Sequence, residues 1–319
     1  MSDYFDAQRK NEEDVLKLFI AEISIEGKLS QETVTIIVEG ILDTEVFTKI
    51  RSTHVNIISI HQYRERCEIP FEINISNKSL VKKLAKELNK DPNCVVIGIQ
   101  DLDYEDIRNL LKGLIVEPKK EVTKNNAVTS PSTDIEMLLI SELLKNDALP
   151  FEEMMKPLIR SMVLSYARLG VEKMKIEGGR KLKQSDIDSL APQWTDYRDL
   201  PDAQNSIDSA KRNYLQACES LKGICKALVE SKPDANLEEQ LMASMAEAEE
   251  QIKNAELDWS SFIKGHDLQW FIIYFNRLNN PKFRKKLVAK TKYEFIKGHQ
   301  MFEKLESWRI SKELPPLFA

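Results

Sequence analysis

Two short runs limit what this chain can fold into. "TIIV" at 35–38 and "CVVIGI" at 94–99 are almost continuously apolar and largely β-branched, with no alternation of inward and outward positions. Strands of that kind are covered on both faces, as in a parallel sheet held between helical layers. The flanking segments agree. "TVTIIVEG" reads as a strand, "DTEVFTKIRS" as a short helix and "VNIISI" as a second strand. "SNKSLVKKLAKELNK" reads as an amphipathic helix capped by Ser76 or Asn77, and "NCVVIGIQDLD" as a third strand. A weaker strand is expected at "GLIVEP" or "NAVTS". An opening helix is expected over 12–25, where Val15, Leu16, Leu18, Phe19 and Ile20 cluster on one side. The order βαβαβ predicts an α/β first half with right-handed crossovers.

From about Thr133 the period changes to that of helices. "DIEMLLISELL", "MMKPLIRSMVLSYARLGVEKM" and "DLQWFIIYFNRL" space their apolar residues at 3.6. At 319 residues there is room for two domains. The expected division is an α/β domain over 1–140 and a mostly helical region over 141–319, with a basic set of C-terminal helices. Within the second, "GGRKLKQSDIDSLAPQWTDYRDLPD" is a loop-rich joint. Residues 203–257, polar and alanine-rich, are expected to form a projecting helical hairpin, either a partner surface or a plain stabilising pair.

Composition excludes some classes. The chain is 42% hydrophobic and 30% charged, so it can bury a core and is not broadly disordered. No apolar run reaches the ~20 residues of a membrane span. The acidic N-terminus is unlike a targeting peptide. Cys67, Cys94, Cys218 and Cys225 lack paired metal spacing and read as reduced thiols of a cytoplasmic protein. The net charge of −5 excludes a wholly basic surface but not a local one. Such a stripe runs from Lys282 to Lys312, where ten Lys and Arg residues meet only Glu294, Glu303 and Glu306. It reads either as a solvated helix face or as a phosphate-backbone contact.

The strand ends carry the chemistry. Parallel strands bring their carboxyl ends to one edge, where ligands bind. Glu39 ends the first strand, and Asp101 and Asp103 end the third. In extended backbone, the two aspartates flanking Leu102 point the same way. Like charges gathered at one edge repel unless a counter-ion joins them, and Mg²⁺ or Mn²⁺ suits hard carboxylate oxygens. Neither a "GxxxxGK[ST]" nor a "GxGxxG" is present. Asp-x-Asp also serves phosphatases and glycosyltransferases, but haloacid-dehalogenase-type phosphatases carry it on the first strand rather than the third. A nucleotidyl or glycosyl transferase holding a metal-nucleotide remains a weaker alternative.

"VEGILD" followed by "QDLD" after a later strand resembles the TOPRIM fold of topoisomerases, primases and OLD-type nucleases, and within it the DUF4435 group. The likeness rests on Val38-Glu39-Gly40 with Asp43 and Phe47, on Asn77-Lys78, and on Asp101 and Asp103. It continues through Thr129 to Asp134 and Glu136, and through Gly265-His266-Asp267-Leu268. It covers roughly 33–140 and 260–280. Tyr104, Glu105 and Asp106 depart from it, leaving Asp106 a further ligand or an ordinary cap.

The resemblance implies a TOPRIM-like parallel sheet carrying a Mg²⁺- or Mn²⁺-dependent site for phosphodiester cleavage. Glu39 is then a metal ligand or general acid/base, Asp101 and Asp103 are ligands, and Asp43 and Glu136 support the shell or a second ion. Lys78 neutralises phosphate charge, and His266 relays a proton or holds a carboxylate. Each has a plainer alternative. Glu136 fits an N-cap box with Ser132 or Thr133, Lys78 fits a solvated turn, and His266 fits a helix cap. The group resembles toxic nuclease effectors of bacterial anti-phage defence, including PARIS systems, that an ABC- or AAA-type ATPase restrains. The implied substrate is RNA, tRNA first, with DNA second, and the hairpin is an expected contact for the ATPase or for a second copy of the chain. The alternative is an inert TOPRIM-fold protein that binds or regulates a partner.

Overall fold

A computed structural model describes residues 2–26, 29, 33–69, 75–114, 126–129, 134–178, 213, 236–257, 259–275 and 280–319. They fall into two compact units that interleave along the chain rather than dividing at residue 140. The first unit comprises 1–101, 118–131 and 291–319, and the second 102–117 and 132–290.

The first unit is built on four parallel strands, β1 (Val34–Val38), β2 (Val55–Ser59), β3 (Val95–Gln100) and β4 (Ala127–Thr129), in the order β2-β1-β3-β4. β1 lies between β2 and β3, with Val34 opposite both Val55 and Val95. Every residue of β1 is buried, as its unbroken apolar run requires. The fourth strand is the "NAVTS" segment, while 115–125 lie outside the described residues. Helices α1 (Ser2–Ile25), α2 (Ile41–Ile50), α3 (Ile60–Arg66) and α4 (Asn77–Leu88) join this unit. Phe19 and Ile23 of α1, Ile37 and Ile58 of the sheet and Leu80, Val81 and Leu84 of α4 share one core. Full burial of such side chains contributes about 1.5–3 kcal/mol each. Ser76 caps α4 by accepting from the Ser79 N–H at 3.1 Å. At Gly98 a Cβ would come 2.7 Å from Val81 Cγ1, so the missing side chain lets α4 sit close on β3. The chain end closes this unit: Ala319 N–H donates to the Ile50 carbonyl, and Phe318 packs with Phe47 and Phe302.

The second unit is helical: α5 (Glu105–Leu111), α6 (Ile135–Lys145), α7 (Phe151–Ile176), α8 (Leu237–Asn254), α9 (Gly265–Phe275) and α10 (Asn280–Lys290). Its centre is α7, buried on nearly all sides from Met154 to Met174. That excess of apolar surface is covered in part by α8, which buries Leu237, Leu241, Met245, Ala248 and Ile252. The expected projecting hairpin is therefore corrected in its second arm. α8 lies on α7, so close that a Cβ on Gly170 would come 2.2 Å from Met245 Cγ. Residues 203–212 and 214–235, with Cys218 and Cys225, lie outside the described residues.

The basic stripe is divided between the two units. Lys282–Lys290 belong to the second unit, and Lys292–Lys312, on α11 (Tyr293–Ile296) and α12 (Gln300–Ser311), to the first. Lys304 is buried, Lys286 pairs with Glu153 and Arg309 pairs with Glu306. Among the described residues, no helix is long and apolar enough to cross a membrane.

Candidate functional site

In the first unit, Glu39 and Asp101 meet at the carboxyl edge of the sheet. β1 and β3 are adjacent and parallel, so the residues following them emerge side by side. The Asp101 backbone N–H donates to Glu39 Oε1 at 2.9 Å. That bond holds the carboxylate at the edge instead of leaving it to swing into solvent. The edge is buttressed from beneath. His61 N–H donates to the Glu39 carbonyl at 3.2 Å, and Asn77 Nδ2 reaches the same oxygen at 3.4 Å. Buried Arg64 donates to the Ile75 carbonyl at 2.6 Å and to Asn77 Oδ1 at 3.2 Å, fixing the entry into α4. Buried Gln100 donates to the Lys78 carbonyl at 2.5 Å, tying the first turn of α4 to the end of β3. Half-buried Lys78 is thus anchored, through its backbone, to the same edge as Glu39 and Asp101.

Two further expected ligands, Asp43 and Asp103, each have a partner of their own. The buried Asp43 is the third residue of α2, and its Oδ2 accepts from the Gly40 N–H at 2.9 Å. It closes the helix start as a capping carboxylate does. Gly40 allows this approach, since a Cβ there would come 2.8 Å from Asp43 Oδ2. Asp103 does not share an extended backbone with Asp101. β3 ends at Gln100, and Asp103 sits in a turn with φ +53°. The parallel alignment expected across Leu102 therefore fails, because extended geometry stops before it begins. Asp103 belongs to the second unit, where it lies 3.8 Å from Lys264 Nζ. Asp106 is in the first turn of α5.

In the second unit the starts of α6 and α9 are pressed together around Asp134. Its Oδ1 accepts from Met137 N–H and Gly265 N–H, each at 3.0 Å, and its Oδ2 accepts from His266 N–H at 3.4 Å. One carboxylate thus caps two helices, whose N-terminal dipoles both favour negative charge there. The cap of α6 is Asp134, not the Ser132 or Thr133 of the expected box; those two lie outside the described residues. The side chain of His266 then lies 3.6 Å from Asp134 Oδ2 through Nδ1 and 3.7 Å from Glu136 Oε1 through Nε2. Asp134 and Glu136 are buried while the imidazole is open to solvent. The Asp134 carboxylate, followed by the field of Glu136, pushes the His266 pKa up to about 9. One ligand atom from each of these three residues can be chosen so that all lie within 4.8 Å of one another, a spacing that can hold a metal ion.

Neighbouring charges frame this group. Lys264 Nζ stands 4.9 Å over the Tyr104 ring, a cation–π contact, and the buried Arg168 pairs with Asp267. Burial pushes the Tyr104 hydroxyl up to about 12, so it stays protonated. Asp267 is thus the partner of an internal arginine as well as a first-turn residue of α9.

Within the first unit the structure joins Glu39, Asp101 and Lys78 at one edge, and within the second it joins Glu136 with His266. Asp134 was legible only as part of a "D-x-E" motif, with nothing to mark its double cap. Arg64, Gln100, Lys264 and Arg168 carried no sequence signal, because each acquires its role from a partner distant in sequence. No family model, curated protein or solved structure matches this chain.

Proposed function

We propose that the chain is a metal-dependent nuclease of the TOPRIM type, cleaving phosphodiester bonds of RNA, tRNA foremost, with DNA as the second substrate. The observation that supports this reading is the Asp101 N–H to Glu39 Oε1 bond, which holds the Glu39 carboxylate against the backbone of Asp101 at the carboxyl edge of a parallel sheet. Their hard oxygens fit Mg²⁺, or Mn²⁺ in its place, which when bound supplies Lewis acidity and neutralises phosphate charge. Glu39, held at the edge, is the candidate ligand or proton acceptor. Lys78, fixed by Gln100, offers the cation that meets the phosphate. The family likeness adds a cytoplasmic toxic effector of anti-phage defence, restrained by an ABC- or AAA-type ATPase.

The test is cleavage of tRNA, single-stranded DNA and plasmid DNA by the purified chain in Mg²⁺ or Mn²⁺. Wild type cuts, and Glu39→Ala and Asp101→Ala lose at least about a hundredfold in rate, as expected when a group stabilising transition-state charge is removed. A wild-type chain that, freed of partners, leaves all three substrates intact ends the reading.

One observation favours a second reading, an inert TOPRIM-fold partner-binding protein. Of the expected carboxylates, Asp43 is occupied in capping α2 and Asp103 faces Lys264. On that reading Glu39→Ala leaves the biological effect of the protein intact.

A further inference from the structure

The group at the paired starts of α6 and α9 has a donor chemistry different from that of the sheet edge. We propose that Asp134, Glu136 and His266 bind a first-row transition-metal dication, through two carboxylates and one imidazole nitrogen, in preference to Mg²⁺. This site deepens the nuclease reading, on which Glu136 and His266 already serve the phosphodiester site, by naming a metal for them, and it is tested by binding rather than cleavage.

Three observations carry it. First, one ligand atom from each of the three side chains can be chosen so that all lie within 4.8 Å of one another. His266 Nδ1 stands 3.6 Å from Asp134 Oδ2, close to the about 3.4 Å that separates donors bound at ~2.1 Å around one tetrahedral ion. Second, the group is built rather than loosely assembled. Both carboxylates are more than nine-tenths buried, and Asp134 is locked by backbone donors from two helices. Gly265 is needed for that approach, because a Cβ there would come 2.1 Å from Asp134 Oδ1 and 2.5 Å from Glu136 Cβ. Third, the exposed imidazole leaves an approach for the ion.

The choice of metal follows from the nitrogen. Mg²⁺ keeps most of its water and prefers oxygen, so an imidazole gives it little. Mn²⁺, Fe²⁺ and Zn²⁺ accept mixed imidazole and carboxylate sets, with affinity rising along the first row towards copper.

The experiment titrates the chelator-treated full chain with Mn²⁺, Zn²⁺ and Mg²⁺ by calorimetry, with Mn²⁺ also followed by electron paramagnetic resonance. A Glu39→Ala/Asp101→Ala background removes the sheet edge. In that background Zn²⁺ and Mn²⁺ bind at least about tenfold tighter than Mg²⁺, and His266→Ala weakens both by at least about tenfold, since losing a ligand costs no less than the about 10–100-fold of losing a group that orients one. Glu136→Gln does the same, and Mg²⁺ binding changes less than about twofold in His266→Ala by the same ligand logic. His266 is exposed, so its alanine variant keeps the fold, checked by circular dichroism. Equal Zn²⁺ and Mn²⁺ affinity in the parent and His266→Ala overturns the proposal, as does Mg²⁺ binding as tightly as Zn²⁺. A chain that binds Zn²⁺ through His266 but cuts no nucleic acid sinks the nuclease reading alone.

Discussion

Replacing Gly265 by alanine gives a sharp test of how α6 and α9 meet. In an open helix start, Gly→Ala stabilises by about 0.4–1 kcal/mol, because alanine has less freedom to lose on folding. At Gly265 the added Cβ would lie 2.1 Å from Asp134 Oδ1, 2.4 Å from Met137 N and 2.5 Å from Glu136 Cβ. Met137 N is backbone and cannot rotate aside, so α9 must shift off α6. Overpacking of this kind costs about 1–3 kcal/mol. Loosening the Asp134 cap on Gly265 and His266 adds about 0.5–2 kcal/mol. The sign therefore reverses, and the net loss is about 0.5–4.6 kcal/mol once the alanine gain is subtracted. For a unit of this size that lowers the melting temperature by roughly 1–18 °C. The chain supplies its own control in the second "KGH", where a Cβ on Gly298 meets nothing within 4 Å. Gly298→Ala is neutral or slightly stabilising. Thermal and urea unfolding, followed by circular dichroism, measure both. A Gly265→Ala protein at least as stable as wild type refutes the close seating of α9 on α6.

Three further outcomes are expected. Asp43→Ala costs about 1 kcal/mol in urea unfolding through loss of its cap on Gly40, and leaves Mg²⁺ affinity unchanged; a marked loss of Mg²⁺ affinity restores Asp43 as a ligand. In the metal-free protein, His266 titrates near 9 by NMR, above its ordinary 6.5, and falls towards 6.5 in Glu136→Gln. Because its folded pKa is raised, the stability it contributes is complete below about 6.5 and is lost as pH rises through about 9; unfolding measured across that window checks the sign. Gly170→Ala puts a Cβ 2.2 Å from Met245 Cγ and destabilises by about 1–3 kcal/mol, with Met245→Ala rescuing part of the loss in the double variant.

Much of the first unit was legible because its signals are local. The unbroken runs of β1 and β3 required cover on both faces, and the parallel order followed. Glu39 and Asp101 could be placed at one edge from strand direction alone, and they meet there. Asp103 could not, since a residue with positive φ at a strand end leaves no periodic trace. Asp43 satisfied both a ligand motif and a cap, and only the partner of its Oδ2 separates the two.

The two "KGH" tripeptides mark the boundary between sequence and tertiary structure. By itself the sequence determined that the first lies at the entrance of a helix, because glycine and histidine before an apolar period act through neighbours a few residues away. The tertiary structure alone decided the rest. His299 accepts from Met301 N–H and caps α12, whereas His266 faces two buried carboxylates brought from more than a hundred residues away. Capping is set by local geometry, but which charges converge on a ring depends on which helix faces bury one another, and that is a property of the whole packed unit.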